Sequence, residues 1–235
     1  MWQRRRSLGV KQGTDMKEAE TEAAMARPDP LACTLPPGTL LTDAERDASM
    51  ESALADWNLS DDLWVFAYGS LIWNPGFDHV ERLAGTIRGY HRDLCLWSRI
   101  NRGTPECPGL VFGLDRGGAC RGIAYRVAHT DVPTTFKALW QREMMSGSYL
   151  PRWLDCQTTS GTVRCLSFVM NRRSSGYAGD ICREELLAAV RRGKGRYGPC
   201  TDYVLNTAHA LREHGIRDVQ LEQIAASLAV MAPTA

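Results

Sequence analysis

The chain has 235 residues, of which 44% are hydrophobic and 23% charged, with a formal net charge of +1. This composition is typical of a globular protein, and the small net charge creates no global field that would attract nucleic acid or an anionic membrane. The longest apolar run is far shorter than the ~20 residues that a membrane-spanning helix needs. We therefore expect neither a nucleic-acid-binding protein nor a membrane protein.

The first part of the chain differs in composition from the rest. Residues 1–41 are rich in small, charged and proline residues without a sustained period, so we expect this segment to be disordered or loosely attached. Residues 42–235 are expected to form one domain. No apolar stretch follows the N-terminal arginines, and the eight cysteines show no C-x-x-C spacing, so we expect reduced thiols and a cytoplasmic location. A disulfide between Cys156 and Cys165 is the less favoured alternative.

A capping box in the segment Thr42–Glu45 predicts a helix from Asp43 to Leu54. The apolar stretch Leu63–Tyr68 that follows predicts a strand buried on both faces, which stops at Gly69 and Ser70. A strand that ends in this way exposes consecutive backbone N–H groups, and Gly69 permits close approach of a ligand and a positive φ. Such a loop suits a carboxylate or an oxyanion, although an ordinary core strand followed by a turn would have the same sequence pattern.

The middle of the chain is predicted to be β-rich, and the end helical. Two hairpins are expected, the first around Asp115–Gly118 and the second around Thr158–Gly161. The polar loop Arg99–Pro105 is expected to border a pocket. Helices are predicted over 131–145, 180–192, 199–214 and 217–230. The order of elements indicates an α+β fold with a small β-barrel or curled sheet and packed helices.

Glu143 is the most informative single residue. In the predicted helix 131–145 it continues the face formed by Phe136, Leu139 and Trp140, which is otherwise apolar. Burial and the negative end of the helix dipole would both raise the pKa of its carboxyl group, which suits proton transfer near neutral pH. A structural glutamate at the rim of this face, paired with Arg142, Arg152 or another base, is an equal alternative.

Other chemical signatures are missing from the sequence. Ser70 does not lie in a G-x-S-x-G nucleophile elbow, and the five histidines lack metal-site spacing, so we expect no metal. The segment Gly193–Arg196 is not a nucleotide-binding loop, and we interpret it as a helix end with solvated charges. Tyr149 and Tyr177 lie near predicted turns, where either could line a pocket or serve packing.

Several stretches, taken together, resemble a known family. They are FAYGSLIWNPGF, GYHRDLCLWS, RGTPECPGLVFGLDRGGACRGIAYRV, LWQREMMSGSYLPRW, YAG at 177–179 and GPCTDYVLNT. In this order they are similar to the ChaC-like γ-glutamylcyclotransferases over about Leu63 to Leu228. The resemblance implies a small β-barrel with packed helices and cleavage of glutathione into 5-oxoproline and cysteinylglycine without a cofactor; it does not indicate an oligomeric state.

The resemblance also implies site residues. The catalytic glutamate of the family matches Glu143, and its substrate-binding loop matches Val65, Phe66, Ala67, Tyr68, Gly69, Ser70 and Leu71. Ala67 departs from the glycine found in many relatives.

The implied reaction agrees with the analysis of the residues. The α-amine of the substrate attacks its own γ-carbonyl, so the enzyme has to fold the substrate and move protons, which one glutamate between the two nitrogens can do. Two alternatives remain open at this stage. One is the same reaction on other γ-glutamyl amines or amino acids; the other is a non-catalytic regulator associated with cation transport.

Overall fold

A computed structural model of the protein describes residues 40–229, so the predicted loosely attached segment lies outside the described residues except for its last two positions. Within these residues there are five helices, a short 3-10 turn at Ser70–Ile72, and seven strands. The helices are α1 (Asp43–Leu54), α2 (Val132–Glu143), α3 (Arg183–Arg192), α4 (Cys200–Glu213) and α5 (Val219–Ala229). The strands are β1 (Leu63–Ala67), β2 (Glu81–Ser98), β3 (Gly109–Val127), β4 (Tyr149–Thr158), β5 (Gly161–Met170), β6 (Lys194–Gly195) and β7 (Gly198–Pro199).

Five strands form a closed barrel in the order β1-β3-β2-β4-β5. All neighbours are antiparallel except β1 and β5, whose parallel pairing closes the barrel. The predicted α+β fold with a small barrel and packed helices is confirmed. β1 is buried at four of its five residues, as its continuous apolar sequence predicts, and forms part of the core.

Helix α1 has the predicted bounds, because its start is specified locally. The Thr42 hydroxyl accepts from the Glu45 amide, and the Glu45 carboxylate accepts from the Thr42 amide at 2.8 Å. The helix packs on α2, where the Trp140 indole donates to the hydroxyl of Ser49. Just before it, the Leu41 amide donates to the carbonyl of Met145 at 2.8 Å, so the chain is attached to the domain already at Leu41.

The hairpin predicted around Asp115–Gly118 is wrong, because these residues lie inside the continuous strand β3. Gly117 and Gly118 do have positive φ, but they form a bulge opposite Gly89, where the register with β2 shifts. The long partner strand β2 continues the ladder beyond the bulge, so a local turn signal is overridden by tertiary pairing. The hairpin turn lies instead in the loop 99–108, which joins β2 to β3.

The remaining elements follow the prediction with small differences. The second hairpin is confirmed as β4 and β5. The helix predicted over 131–145 ends two residues early, and Gly147 has a φ of 61° in the loop beyond it. The segment Gly193–Arg196 follows a helix, as predicted. Lys194 and Gly195 then pair with Pro199 and Gly198 in a small two-stranded ribbon, which the sequence pattern does not predict.

The cysteines in residues 40–229 are all free thiols. Cys156 and Cys165 lie diagonally on β4 and β5, because Cys156 pairs with Val163 and Leu154 pairs with Cys165. Both side chains are buried free thiols, and the alternative of a disulfide is not formed. In the same part of the chain, no helix has the length and apolar character needed to span a bilayer.

Candidate active site

The loop after β1 begins where the barrel pairing of that strand ends. The carbonyl of Tyr68 accepts from Nε of the buried Arg92 at 2.5 Å, and Arg92 is ion-paired with Asp218. The 3-10 turn follows, with the Ile72 amide donating to the carbonyl of Gly69 at 3.0 Å. The backbone of this loop is therefore held by a buried cation and by its own turn.

The amides at the start of this turn are free to bind a ligand. The N–H groups of Gly69, Ser70 and Leu71 have no acceptor among residues 40–229, as expected for the first residues of a helical turn. Gly69 has a φ of −131°, so it does not use the positive φ that glycine permits. Space is the constraint instead, because a Cβ at Gly69 would lie 3.2 Å from the hydroxyl of Tyr203.

Glu143 is the last residue of α2. Phe136, Leu139 and Trp140 on the same helix are buried, which confirms the predicted apolar face. The Glu143 side chain is 17% exposed, and burial raises the pKa of its carboxyl group above the ordinary 4.5. The guanidinium of Arg142 acts in the opposite direction and lowers this pKa, with Nε 3.1 Å from the Glu143 carboxylate. Burial is the larger effect.

Arg142 connects Glu143 to the loop after β1. Its Nη2 donates to the hydroxyl of Ser70 at 2.9 Å, and its Nη1 donates to the carbonyl of Asn74 at 2.7 Å. Arg152, the other partner considered for Glu143, is exposed and donates to the carbonyl of Pro151. One guanidinium therefore fixes the carboxylate and the loop relative to each other.

Three buried tyrosine hydroxyls surround the same space. Tyr149 donates to the carbonyl of Phe112 at 2.6 Å, and Tyr203 accepts from the amide of Phe112 at 3.0 Å. Tyr68 donates to the carbonyl of Phe168 at 2.6 Å. Burial, with a smaller contribution from the Glu143 carboxylate, raises the pKa of all three phenols, so they stay neutral and offer oriented dipoles.

The predicted loop residues fall into two groups. The side chains of Val65, Phe66 and Ala67 are buried in the barrel core, so these residues can serve a ligand only by positioning the backbone. Tyr68, Gly69 and Ser70 lie beside Glu143, Tyr203 or Arg142, while Leu71 is buried under the turn.

Tyr203 is not among the predicted site residues, although it stands in one of the stretches that carry the family resemblance. Tyr149 borders the same space as Tyr68 and Tyr203, which favours the pocket-lining alternative for it over packing alone. The Tyr177 hydroxyl donates to the Asp115 carboxylate at 2.8 Å. The same carboxylate accepts from the guanidinium of Arg172, so the Tyr177 hydroxyl has a structural role.

Only one group among residues 40–229 has the spacing of a metal site. The ligand atoms of Asp93, Cys95 and Asp115 lie within 4.8 Å of one another. Burial raises the pKa of the Cys95 thiol to about 12, and the Asp115 carboxylate is already neutralised by Arg172. A protonated thiol and a paired carboxylate are poor metal ligands.

Comparisons with known proteins agree on one family. The family model "ChaC-like protein" matches residues 63–230. A glutathione-specific γ-glutamylcyclotransferase of Escherichia coli K12 is 33% identical, over 81% of this chain and 83% of its own length. A glutathione-specific γ-glutamylcyclotransferase 1 of Mus musculus is 30% identical, over 77% of this chain and 86% of its own length.

The comparison with solved structures shows a similar fold. A crystal structure of a γ-glutamyl cyclotransferase specific to glutathione from yeast superposes with a TM-score of 0.68 at 17% identity. The superposition covers 73% of this chain and 97% of the yeast chain.

The two alternatives for Glu143 predict opposite effects of Glu143→Gln on stability. Because its pKa is higher in the folded than in the unfolded chain, ionisation of Glu143 costs stability as the pH rises through the folded pKa. We expect the melting temperature of Glu143→Gln to equal that of wild type near pH 4 and to exceed it at pH 8. The control is Glu51→Gln, at an exposed position of α1, which should show no such trend. A Glu143→Gln variant less stable than wild type at pH 8 would instead make the pair with Arg142 structural.

Proposed function

The chain belongs to the ChaC-like protein family, and we propose that it cleaves the γ-glutamyl bond of glutathione to give 5-oxoproline and cysteinylglycine, with Glu143 as the catalytic residue. It is an enzyme of the γ-glutamylcyclotransferase class, a lyase, as its relatives are. The observation that carries the mechanism is the half-buried carboxylate of Glu143 held by Arg142 against the free amides after β1.

The reaction closes a ring within the substrate. The α-nitrogen forms a bond to the γ-carbonyl carbon, and the bond from that carbon to the cysteine nitrogen then breaks. The α-ammonium gives up two protons on becoming the lactam N–H, and the departing nitrogen needs two protons to become an ammonium, so no water or other reactant is consumed. Because both reacting atoms belong to one molecule, the enzyme's contribution is orientation, proton transfer and charge stabilisation.

Glu143 is suited to relay these protons. Burial brings its pKa up toward that of the nitrogen it must deprotonate, while Arg142 keeps enough of the carboxylate ionised to act as a base. The protonated form then returns the proton to the departing nitrogen. A carboxylate in ordinary water would be a weaker base for the first step.

The loop after β1 supplies the electrostatic part of the mechanism. The amides of Gly69, Ser70 and Leu71 point from a fixed turn and lack partners among the described residues, so they can stabilise the oxyanion or bind the glutamyl α-carboxylate. The neutral phenols of Tyr68, Tyr149 and Tyr203 border the same space without adding charge. No cofactor is needed for these steps.

We also propose a cytoplasmic location. The eight cysteines have wide, irregular spacings without a C-x-x-C pair, unlike a disulfide-dense secreted scaffold. This pattern of cysteines suits a reducing compartment.

The central prediction concerns turnover. Glu143→Gln keeps the shape of the side chain but cannot accept a proton, so kcat for the release of 5-oxoproline from glutathione should fall by roughly 10²–10⁴-fold, since one group serves both transfers. Substrate affinity should remain within a few-fold of wild type. Turnover and melting temperature are measured on the same preparation. A stably folded Glu143→Gln variant that retained a tenth of wild-type kcat would remove Glu143 from this role.

The pH dependence tests the part played by Arg142. Wild-type activity should fall on the acid side as Glu143 is protonated. Because Arg142 lowers the Glu143 pKa, Arg142→Gln should raise it and move the acid limb of kcat to higher pH. The matched control is Arg152→Gln, which removes an exposed cation that does not pair with Glu143 and should leave the limb in place. An unchanged acid limb in Arg142→Gln would show that this guanidinium does not tune the base.

The loop is tested by a binding measurement. In Gly69→Val, the Cβ would lie 3.2 Å from the Tyr203 hydroxyl, and the two methyl groups would occupy the space beside the free amides. Calorimetry should detect no binding of glutathione to this variant, while Gly69→Ala should bind more weakly than wild type. Normal affinity in a folded Gly69→Val variant, with its melting temperature as the control for folding, would exclude the loop as the anion-binding element.

A further inference from the structure

Arg102 carries a positive charge that is not neutralised within the described part of the chain. It lies in the loop 99–108, and its Nη1 donates to the carbonyls of Tyr197 at 2.6 Å and Pro199 at 3.1 Å. No carboxylate among residues 40–229 forms an ion pair with it. The N–H groups on Nε and Nη2 have no acceptor there either, so one side of the guanidinium is fixed and the other is available.

A second positive feature lies at the same place. Pro199 is the N-cap residue of α4, so its carbonyl brings Arg102 to the end of the helix that carries partial positive charge. No side chain caps this helix end, and Asp202 in the first turn is exposed. A guanidinium and a helix N-terminus side by side would repel each other slightly, and an anion between them would be attracted by both.

Arg102 also lies one side chain away from the proposed reaction centre. Its guanidinium carbon lies over the Tyr203 ring, 5.4 Å from the ring centre, and the hydroxyl of that ring lies beside Gly69. The two charges act on the Tyr203 phenol in opposite directions, since Glu143 raises its pKa and Arg102 lowers it. Tyr203 thus lies beside both the loop that contains Gly69 and the guanidinium of Arg102.

We propose that Arg102 binds the C-terminal carboxylate of the peptide that the reaction releases, and so selects γ-glutamyl substrates that carry a carboxylate two residues beyond the scissile bond. This rests on the proposed function. Tyr203 links the two places, because its ring lies beneath the guanidinium of Arg102 and its hydroxyl lies beside Gly69. The free edge of a guanidinium matches a carboxylate with two parallel hydrogen bonds.

The test compares glutathione with glutathione whose glycine carboxylate is converted to the carboxamide. Wild type should have a kcat/KM at least about tenfold higher for glutathione, the discrimination expected from a hydrogen-bonded charge pair. In Arg102→Gln, kcat/KM for glutathione should fall to the level of the carboxamide, and the preference should disappear, with the change mostly in KM. Arg102→Lys keeps the charge and should keep part of the preference.

The matched control is Arg196→Gln. Arg196 is an exposed arginine of the adjacent β6–β7 ribbon and stacks on Tyr197. The Arg196→Gln variant changes the net charge by the same amount as Arg102→Gln. It should retain the full preference for glutathione over the carboxamide. Equal loss of preference in Arg196→Gln would mean that the general field, and not Arg102, is responsible.

A binding measurement separates this proposal from the proposed function. Calorimetry with Glu143→Gln, which should not turn over, compares the affinities for glutathione and its carboxamide, with and without Arg102→Gln. Tighter binding of glutathione that depends on Arg102 supports the carboxylate site, even if wild type released no 5-oxoproline and the proposed function failed. Equal affinities for the two ligands in Glu143→Gln, or an undiminished preference in folded Arg102→Gln, would overturn the proposal.

Discussion

The parallel pairing of β1 with β5 is the constraint on which the site depends. β1 has only five residues, and it pairs with β3 on one edge and with β5 on the other, which closes the barrel. Its ladder pairing ends at Ala67, and the N–H groups of Gly69, Ser70 and Leu71 beyond it have no acceptor among residues 40–229. The phenols that border the loop are anchored to backbone groups of Phe112 on β3 and Phe168 on β5, the same two strands. Closure of the barrel thus fixes where the free amides lie and what surrounds them.

Two opposing effects act on the carboxylate of Glu143 in this environment, and burial is the larger. Burial alone would favour the protonated acid, which cannot accept a proton from an ammonium group. A second nearby cation would favour the carboxylate and make it a weak base. Arg142 provides one ion pair at 3.1 Å and directs its remaining donors to Ser70 and Asn74. The charge of Arg142 is therefore shared between the carboxylate and the loop. Burial still determines the direction in which the Glu143 pKa is shifted.

The features that the sequence predicts well are those with local causes. The capping box at Thr42 gives the start of α1, and the apolar face of α2 identifies Glu143. The continuous strand β3 could not be predicted in this way, because pairing with β2 extends a strand across a segment that looks like a turn. The link from Arg142 to Ser70 joins residues 72 positions apart, and that from Tyr203 to Phe112 joins residues 91 apart. No local pattern encodes such contacts, so the partners of Glu143 become evident only in the folded chain.

Tyr203 shows how two cations can serve one site without interfering. If Arg102 lay as close to Glu143 as Arg142 does, it would lower the pKa of the base further and repel the substrate ammonium. Arg102 instead lies over the ring of Tyr203, 5.4 Å from its centre, and the phenol, whose pKa is raised by burial, adds no charge of its own. Coulomb interactions weaken with distance and with screening, so a cation over this ring acts mainly on the nearest anion. On the proposal made above, Arg102 would recognise an anionic group at one end of the substrate, and Arg142 would set the proton affinity of Glu143 at the other end.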